Sequence, residues 1–174
     1  MKKLLLAGML LLSTMLIGAE SAKGNEKIEG TVNVKAKVVQ PLKIETTAVD
    51  FGILVPGENK YSETSGKIFV NGTPNELINL ELKDKSGEYK IVKSFEPHYI
   101  VELKTNEGNA ANEKMDSSLT IMAVGEGNND ISSGAINIGE KGKLEFNIEG
   151  TVNAVANQAA GEYEGVLYVR AKYN

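Results

Sequence analysis

Between Lys143 and Asn153 apolar and polar residues alternate without a break, and this alternation confines the segment to β structure. Leu144, Phe146, Ile148, Gly150 and Val152 fall on one face, and Lys143, Glu145, Asn147, Glu149, Thr151 and Asn153 on the other. That is the period of a strand with one side on a core and the other in water. Thr31 to Val38 repeats the scheme and predicts a strand with Val32, Val34, Ala36 and Val38 turned inward. Further strands are expected near Leu42 to Thr46, Lys67 to Val70, Ile78 to Leu82, Tyr89 to Val92, Tyr99 to Leu103, Leu119 to Val124 and Tyr163 to Tyr173. Turn residues punctuate them at Pro56-Gly57, Asn71-Gly72, Ser86-Gly87, Glu107-Gly108-Asn109 and Gly125 to Asp130. No long stretch shows helical spacing. Short alternating strands between glycine and asparagine turns predict an all-β fold, an immunoglobulin-like antiparallel β-sandwich of roughly nine strands.

One hexapeptide occurs twice: Ile28-Glu-Gly-Thr-Val-Asn33 returns letter for letter as Ile148-Glu-Gly-Thr-Val-Asn153. The flanks do not align, so these are two similar strands and not the unit of a repeat fold. Gly150 interrupts a bulky inward row, which is where a bulge or a close backbone approach is expected.

The start of the chain has the layout of a secretory signal peptide. Lys2 and Lys3 precede an apolar run from Leu4 to Ile17 that closes on Gly18-Ala19. Glu20, Lys23, Asn25 and Glu26 follow at once, so the run is short for a bilayer anchor. Cleavage after Ala19 is expected, then a flexible segment over 20–30 and a single sandwich domain over 31–174. The protein would be exported, to the cell surface or periplasm of a bacterium, with no membrane insertion after cleavage. Loss of Lys2 and Lys3 takes the formal charge from -4 to -6. So acidic a chain argues against nucleic acid as a partner. Cysteine is absent, which excludes a lipoprotein and leaves the fold to burial and backbone pairing.

Catalytic patterns are hard to find. His98 is the single histidine, placed after Pro97 at the start of an expected strand with no orienting partner in view, and reads as a solvated strand residue. No serine sits in a nucleophile elbow. The 23 acidic residues scatter over outward strand positions, as soluble faces require. Gly125-Glu-Gly-Asn-Asn-Asp130 gathers oxygen ligands without the frame of a calcium loop, and reads as a polar turn. Asn71-Gly72-Thr73 matches a glycosylation acceptor, but Asn-Gly is first a hairpin turn. Neither an enzyme, a cofactor nor a metal is expected. Tyr61, Phe69, Tyr89, Phe95, Tyr99 and Tyr168 are the material for an aromatic binding platform, although aromatic residues at strand spacing usually enter the core.

The last fourteen residues, Gly161 to Asn174, stay strand-like to the end, with Tyr163, Leu167, Val169, Ala171 and Tyr173 on one face. Because chain ends fray unless tied down, this end should be paired. A glycine fourteen residues from the terminus, Gly161, and a penultimate tyrosine, Tyr173, resemble the C-terminal motif of chaperone-usher pilins. That resemblance implies a final strand bordering a groove that a strand from a chaperone or the next subunit fills, a form of β-strand addition. A second resemblance spans more of the chain. Val34-x-Ala36-x-Val38-Val39-Gln40-Pro41-Leu42-x-Ile44, then Asp50-Phe51-Gly52, Pro56-Gly57, Gly161-x-Tyr163-x-Gly165 and Tyr173-Asn174 are similar to the secreted domain-of-unknown-function family 4402, itself regarded as fimbria-like.

Chaperone-usher pilins commonly carry a disulfide, which this chain lacks. Within Glu20 to Glu29 only Ala22 and Ile28 are apolar. Either a donor row of Ile28, Val32 and Val34 fills a partner's groove, or the sandwich is complete alone. The expected function is a non-catalytic subunit of a fimbria-like surface polymer, self-associating or meeting a fimbrial assembly partner through Gly161, Tyr163, Leu167, Val169, Ala171 and Tyr173. The alternative is a monomeric exported binding module, adhesin-like or glycan-binding.

Overall fold

The computed structural model describes residues 29–93, 99–105, 112–124 and 133–174. The chain divides into two compact units, 1–36 and 37–174. In the first, the described residues 29–36 form no strand or helix, and Val32 and Val34 are exposed. The strand expected over Thr31 to Val38 is therefore not formed. Alternation alone does not make a strand, because a strand also needs a neighbour to pair with its backbone groups.

The second unit is a sandwich of two antiparallel sheets, with no α-helix among its described residues. Its described residues form the strands β1 (Lys43–Thr47), β2 (Asn59–Tyr61), β3 (Gly66–Asn71), β4 (Leu77–Lys83), β5 (Tyr89–Ile91), β6 (Tyr99–Thr105), β7 (Lys114–Val124), β8 (Ile136–Asn137), β9 (Lys143–Asn153), β10 (Tyr163–Glu164) and β11 (Tyr168–Tyr173). The larger sheet runs β1-β3-β9-β7-β6-β10, with β2 also on β9. The smaller runs β11-β4-β5, with β8 also on β4.

The core lies where the inner rows of the two sheets meet. Ile68 and Val70 of β3, Phe146 and Val152 of β9 and Ile121 of β7 come from the larger sheet; Ile78, Leu80 and Leu82 of β4 come from the smaller. Each of these aliphatic or aromatic side chains contributes about 1.5–3 kcal/mol by leaving water. β9 keeps the inward row expected of it, and it is the hub of the larger sheet, with β7 on one side and β3 and β2 on the other. At Gly150 an added Cβ would lie 2.3 Å from the Ser118 carbonyl oxygen and 2.7 Å from Leu119 Cδ2. The glycine allows the close approach that its sequence position implied.

Three local expectations change. The single strand expected over Tyr163 to Tyr173 is two strands: β10 pairs with β6 in the larger sheet and β11 with β4 in the smaller. The break falls at Gly165, where a Cβ would meet the Glu102 carbonyl oxygen at 2.7 Å, so only glycine lets the chain pass β6 as it changes sheets. Asn71-Gly72 is not the centre of a hairpin. Asn71 ends β3, and the turn comes at Pro74 and Asn75, where the chain crosses to β4 in the other sheet. The short strands β2 and β8 lie in stretches where no strand was expected, being too brief to show a period. The turns at Glu107-Gly108-Asn109 and Gly125 to Asp130, with His98 and Phe95, lie outside the described residues.

Candidate functional site

β1 and β11 each have one neighbour among the described residues, so each presents a free edge, one in each sheet. The residues along these edges are apolar on their inner sides but only half-buried. Val169, Ala171 and Tyr173 of β11, Leu167 before it, and Leu42 and Ile44 at the other edge all pack against the core while staying partly accessible. The inner row of β4, one strand over from β11, is fully enclosed. The core is thus sealed at the centre of the smaller sheet and open along β11.

The segment that leads into β11 forms part of a cleft of about 930 Å³. Val49, Ile53 and Leu54 line one wall, and Tyr163 and Val166 the other; Leu103, Met115 and Val152 form the floor. Ile53 is 87% exposed and Val166 62%, so the two walls hold large aliphatic side chains out in water on either side of an apolar floor. A contiguous apolar feature of this kind marks an interaction site more often than a solvated surface.

The walls are built by polar contacts that the sequence pattern explains. Asp50 closes a bridge with Thr64, its backbone N–H donating to Thr64 O at 3.0 Å. Its Oδ1 accepts from Gly52 N–H at 2.7 Å, a turn that needs the positive φ of Gly52, 64°. This holds Phe51 in the core and aims Ile53 outward. On the opposite wall Gly161 has φ 148°, a conformation that side chains rarely adopt. The turn it makes is fixed by Tyr163, whose hydroxyl donates to Ala159 O at 2.7 Å and accepts from Gln158 Nε2 at 2.8 Å. At the far end of β11 the Tyr173 hydroxyl donates to Gln40 O at 2.7 Å and accepts from Thr73 N–H at 2.9 Å; Gln40 N–H returns a bond to Thr73 Oγ1 at 2.7 Å. Asn174 N–H donates to Leu77 O, so the strand is paired to its last residue.

Of the six residues expected to form the assembly strand, Gly161 and Tyr163 belong to the cleft wall, Leu167 to the crossing between sheets, and Val169, Ala171 and Tyr173 to the inner row of β11. Of the expected donor row, Val32 is 86% and Val34 89% exposed, and Ile28 lies outside the described residues. In the second unit Val38 is 95% exposed. Sequence reasoning passed over Val49, Ile53 and Leu54. The signal was present as the run Phe51-Gly-Ile-Leu-Val55, apolar but not alternating, and so invisible to a search for strands. Gln158, nearly buried beneath Tyr163, gave no signal at all.

Among the described residues no three His, Cys, Asp or Glu are grouped to hold a metal ion. Hydrogen bonds from Lys172 and then Arg170 hold the Glu81 carboxyl below its ordinary range, on the far side of the smaller sheet. The Asp84 carboxyl is opposed by burial, yet bonds from Ser86 and Ile100 outweigh this and lower it in the turn after β4.

Fold and site together define a cysteine-free antiparallel β-sandwich open along one edge. No protein-family model matches the chain, and no curated protein is similar to it.

Proposed function

We propose that this protein is a non-catalytic structural subunit of a fimbria-like surface polymer, in which a strand from one copy completes the open edge of the next. The observation that carries this reading is the half-buried inner row of β11, bordered by an edge that has no strand neighbour among the described residues. A strand laid beside β11 would satisfy its free backbone groups and enclose Leu167, Val169 and Ala171, with alternate side chains seated in the opening.

The occupant favoured by the chain is its own N-terminal segment in a second copy. Val32, Val34, Ala36 and Val38 alternate with polar residues in a stretch with no strand of its own, and the three valines stand in solvent. Residues 28–33 are the same six letters as 148–153, and the latter form a strand paired on both sides. The sequence is therefore competent to be an interior strand when partners are offered. The signal-peptide-like start supports export to the surface or periplasm, and the likeness of Gly161 and Tyr173 to the C-terminal motif of pilins supports the same assembly mode. Replacing Tyr173→Ser, or removing the last few residues, should abolish polymer on the cell surface while leaving secretion intact. Unchanged polymer would contradict the proposal.

A further inference from the structure

The face of the smaller sheet that looks away from the core holds a second, unrelated arrangement. Tyr168, Lys83 and Tyr89 stand side by side on β11, β4 and β5, and Arg170 and Glu81 form the next row on β11 and β4. Lys83 Nζ lies 4.1 Å from the Tyr168 ring centroid and 5.3 Å from that of Tyr89, and Arg170 Cζ lies 3.8 Å from the centroid of Tyr89. Arg170 Nε and Lys172 Nζ both donate to Glu81, the latter at 2.8 Å. The Glu81 side chain is only 5% exposed beneath them, whereas those of Arg170 and Lys172 are 54% and 61% exposed.

These contacts fix the cations without using them up. The Arg170 guanidinium is held by one edge on Glu81 and by one face on Tyr89. Its two terminal nitrogens make no hydrogen bond among the described residues, and neither does Lys83 make an ion pair there. Three cations against one carboxylate leave two positive charges in excess, on a chain whose formal charge is -4. Arg170 is the only arginine in the sequence. A pre-oriented guanidinium fork is suited to a carboxylate, which it binds through two parallel hydrogen bonds. Beside it the Tyr168 ring is half-exposed, and the face turned away from Lys83 is a flat apolar surface of the kind that stacks on the C–H face of a pyranose.

We propose that this face is a binding site for a carboxylate-bearing sugar, with the carboxylate on Arg170 and Lys83 and the ring of the sugar against Tyr168. The proposal goes beyond assembly and does not depend on it. A strand added at the β11 edge extends the sheet in its own plane and leaves this face open, so monomer and polymer alike would present it.

The test is calorimetric titration of the purified protein with two acidic probes, a hyaluronan hexasaccharide for uronate and sialyllactose for sialate, beside neutral lactose and a tetraglutamate peptide. Binding of either acidic sugar, about tenfold or more tighter than lactose and than the peptide, is expected; which of the two binds identifies the source of the carboxylate. Arg170→Lys keeps the charge on Glu81 but loses the fork, and should weaken binding about tenfold without moving the melting temperature. Tyr168→Ala should weaken it as much, and Tyr168→Phe should not. Absence of binding by both acidic sugars, equal binding by lactose or tetraglutamate, or unaltered binding in Arg170→Lys and Tyr168→Ala would each overturn the proposal.

Discussion

The hydroxyl of Tyr173, next to the last residue, donates a 2.7 Å hydrogen bond to the carbonyl of Gln40, two residues before Leu42 and the approach to β1. The same oxygen accepts from Thr73 N–H, so one side chain ties the end of the smaller sheet to the two segments that enter and leave β1 and β3. A Cβ at Gly72 would lie 2.6 Å from that hydroxyl and 2.6 Å from Leu42 Cδ2, which shows how closely the three segments converge. The end of the chain is thus tied by a side chain, and not by a strand pair, to the larger sheet.

Tyr173→Phe removes both hydrogen bonds and leaves the part-buried Thr73 N–H without an acceptor. The expected loss is about 1–2 kcal/mol in urea unfolding, with the β content unchanged by circular dichroism. A loss below a few tenths of a kcal/mol would mean that the hydroxyl does not hold the strand.

The two glycines of the repeated hexapeptide should behave oppositely. At Gly150 a methyl group would overlap the Ser118 carbonyl oxygen, whereas at Gly30 nothing lies within 4 Å. Gly150→Ala is expected to cost about 3 kcal/mol, at the upper end of overpacking penalties, and Gly30→Ala close to nothing. Comparing their melting temperatures with that of the parent chain checks the difference.

Stability should decline in acid through Glu81. Its folded carboxyl is held below the ordinary value by Lys172 and Arg170, so its contribution is complete above the unfolded value of about 4.3 and is lost as the pH falls through the folded one. Glu81→Gln should lower stability at neutral pH and flatten the decline below about pH 4. A variant whose acid limb matches that of the parent would show that other carboxylates dominate it.

The valine row separates assembly from folding. Val32, Val34 and Val38 are exposed, so Val32→Asp, Val34→Asp and Val38→Asp together should leave the melting temperature of the isolated chain within about 1 °C, since exposed substitutions rarely exceed a few tenths of a kcal/mol. The same triple variant should fail to form polymer, and normal polymer in it would remove these residues from the interface.

The strands that carry the core were legible because their burial has a period. β9 matches the expected Lys143 to Asn153 at both ends, and β3, β4 and β6 differ from expectation by a residue or two. What could not be read were features set by tertiary partners. Nothing in the letters of Thr31 to Val38 distinguishes this alternating segment, which forms no strand, from the alternating segments that do. The passage of Gly165 across β6 is decided by the backbone of Glu102, far away in sequence. The pairing of Tyr168 to Tyr173 was legible in the letters, and the cleft wall at Ile53 and Leu54 was not, because these residues sit in an irregular segment shaped by the turn at Asp50 and Gly52.

The measurement that meets the central claim most directly is size-exclusion chromatography with light scattering, on surface-sheared material and on the purified chain, each followed by heating in detergent. Copies joined by an exchanged strand should run as a ladder of multimers that survives detergent in the cold and collapses to monomer on heating. A stable monomer in both preparations would contradict the claim that the edge beside β11 is completed by another copy.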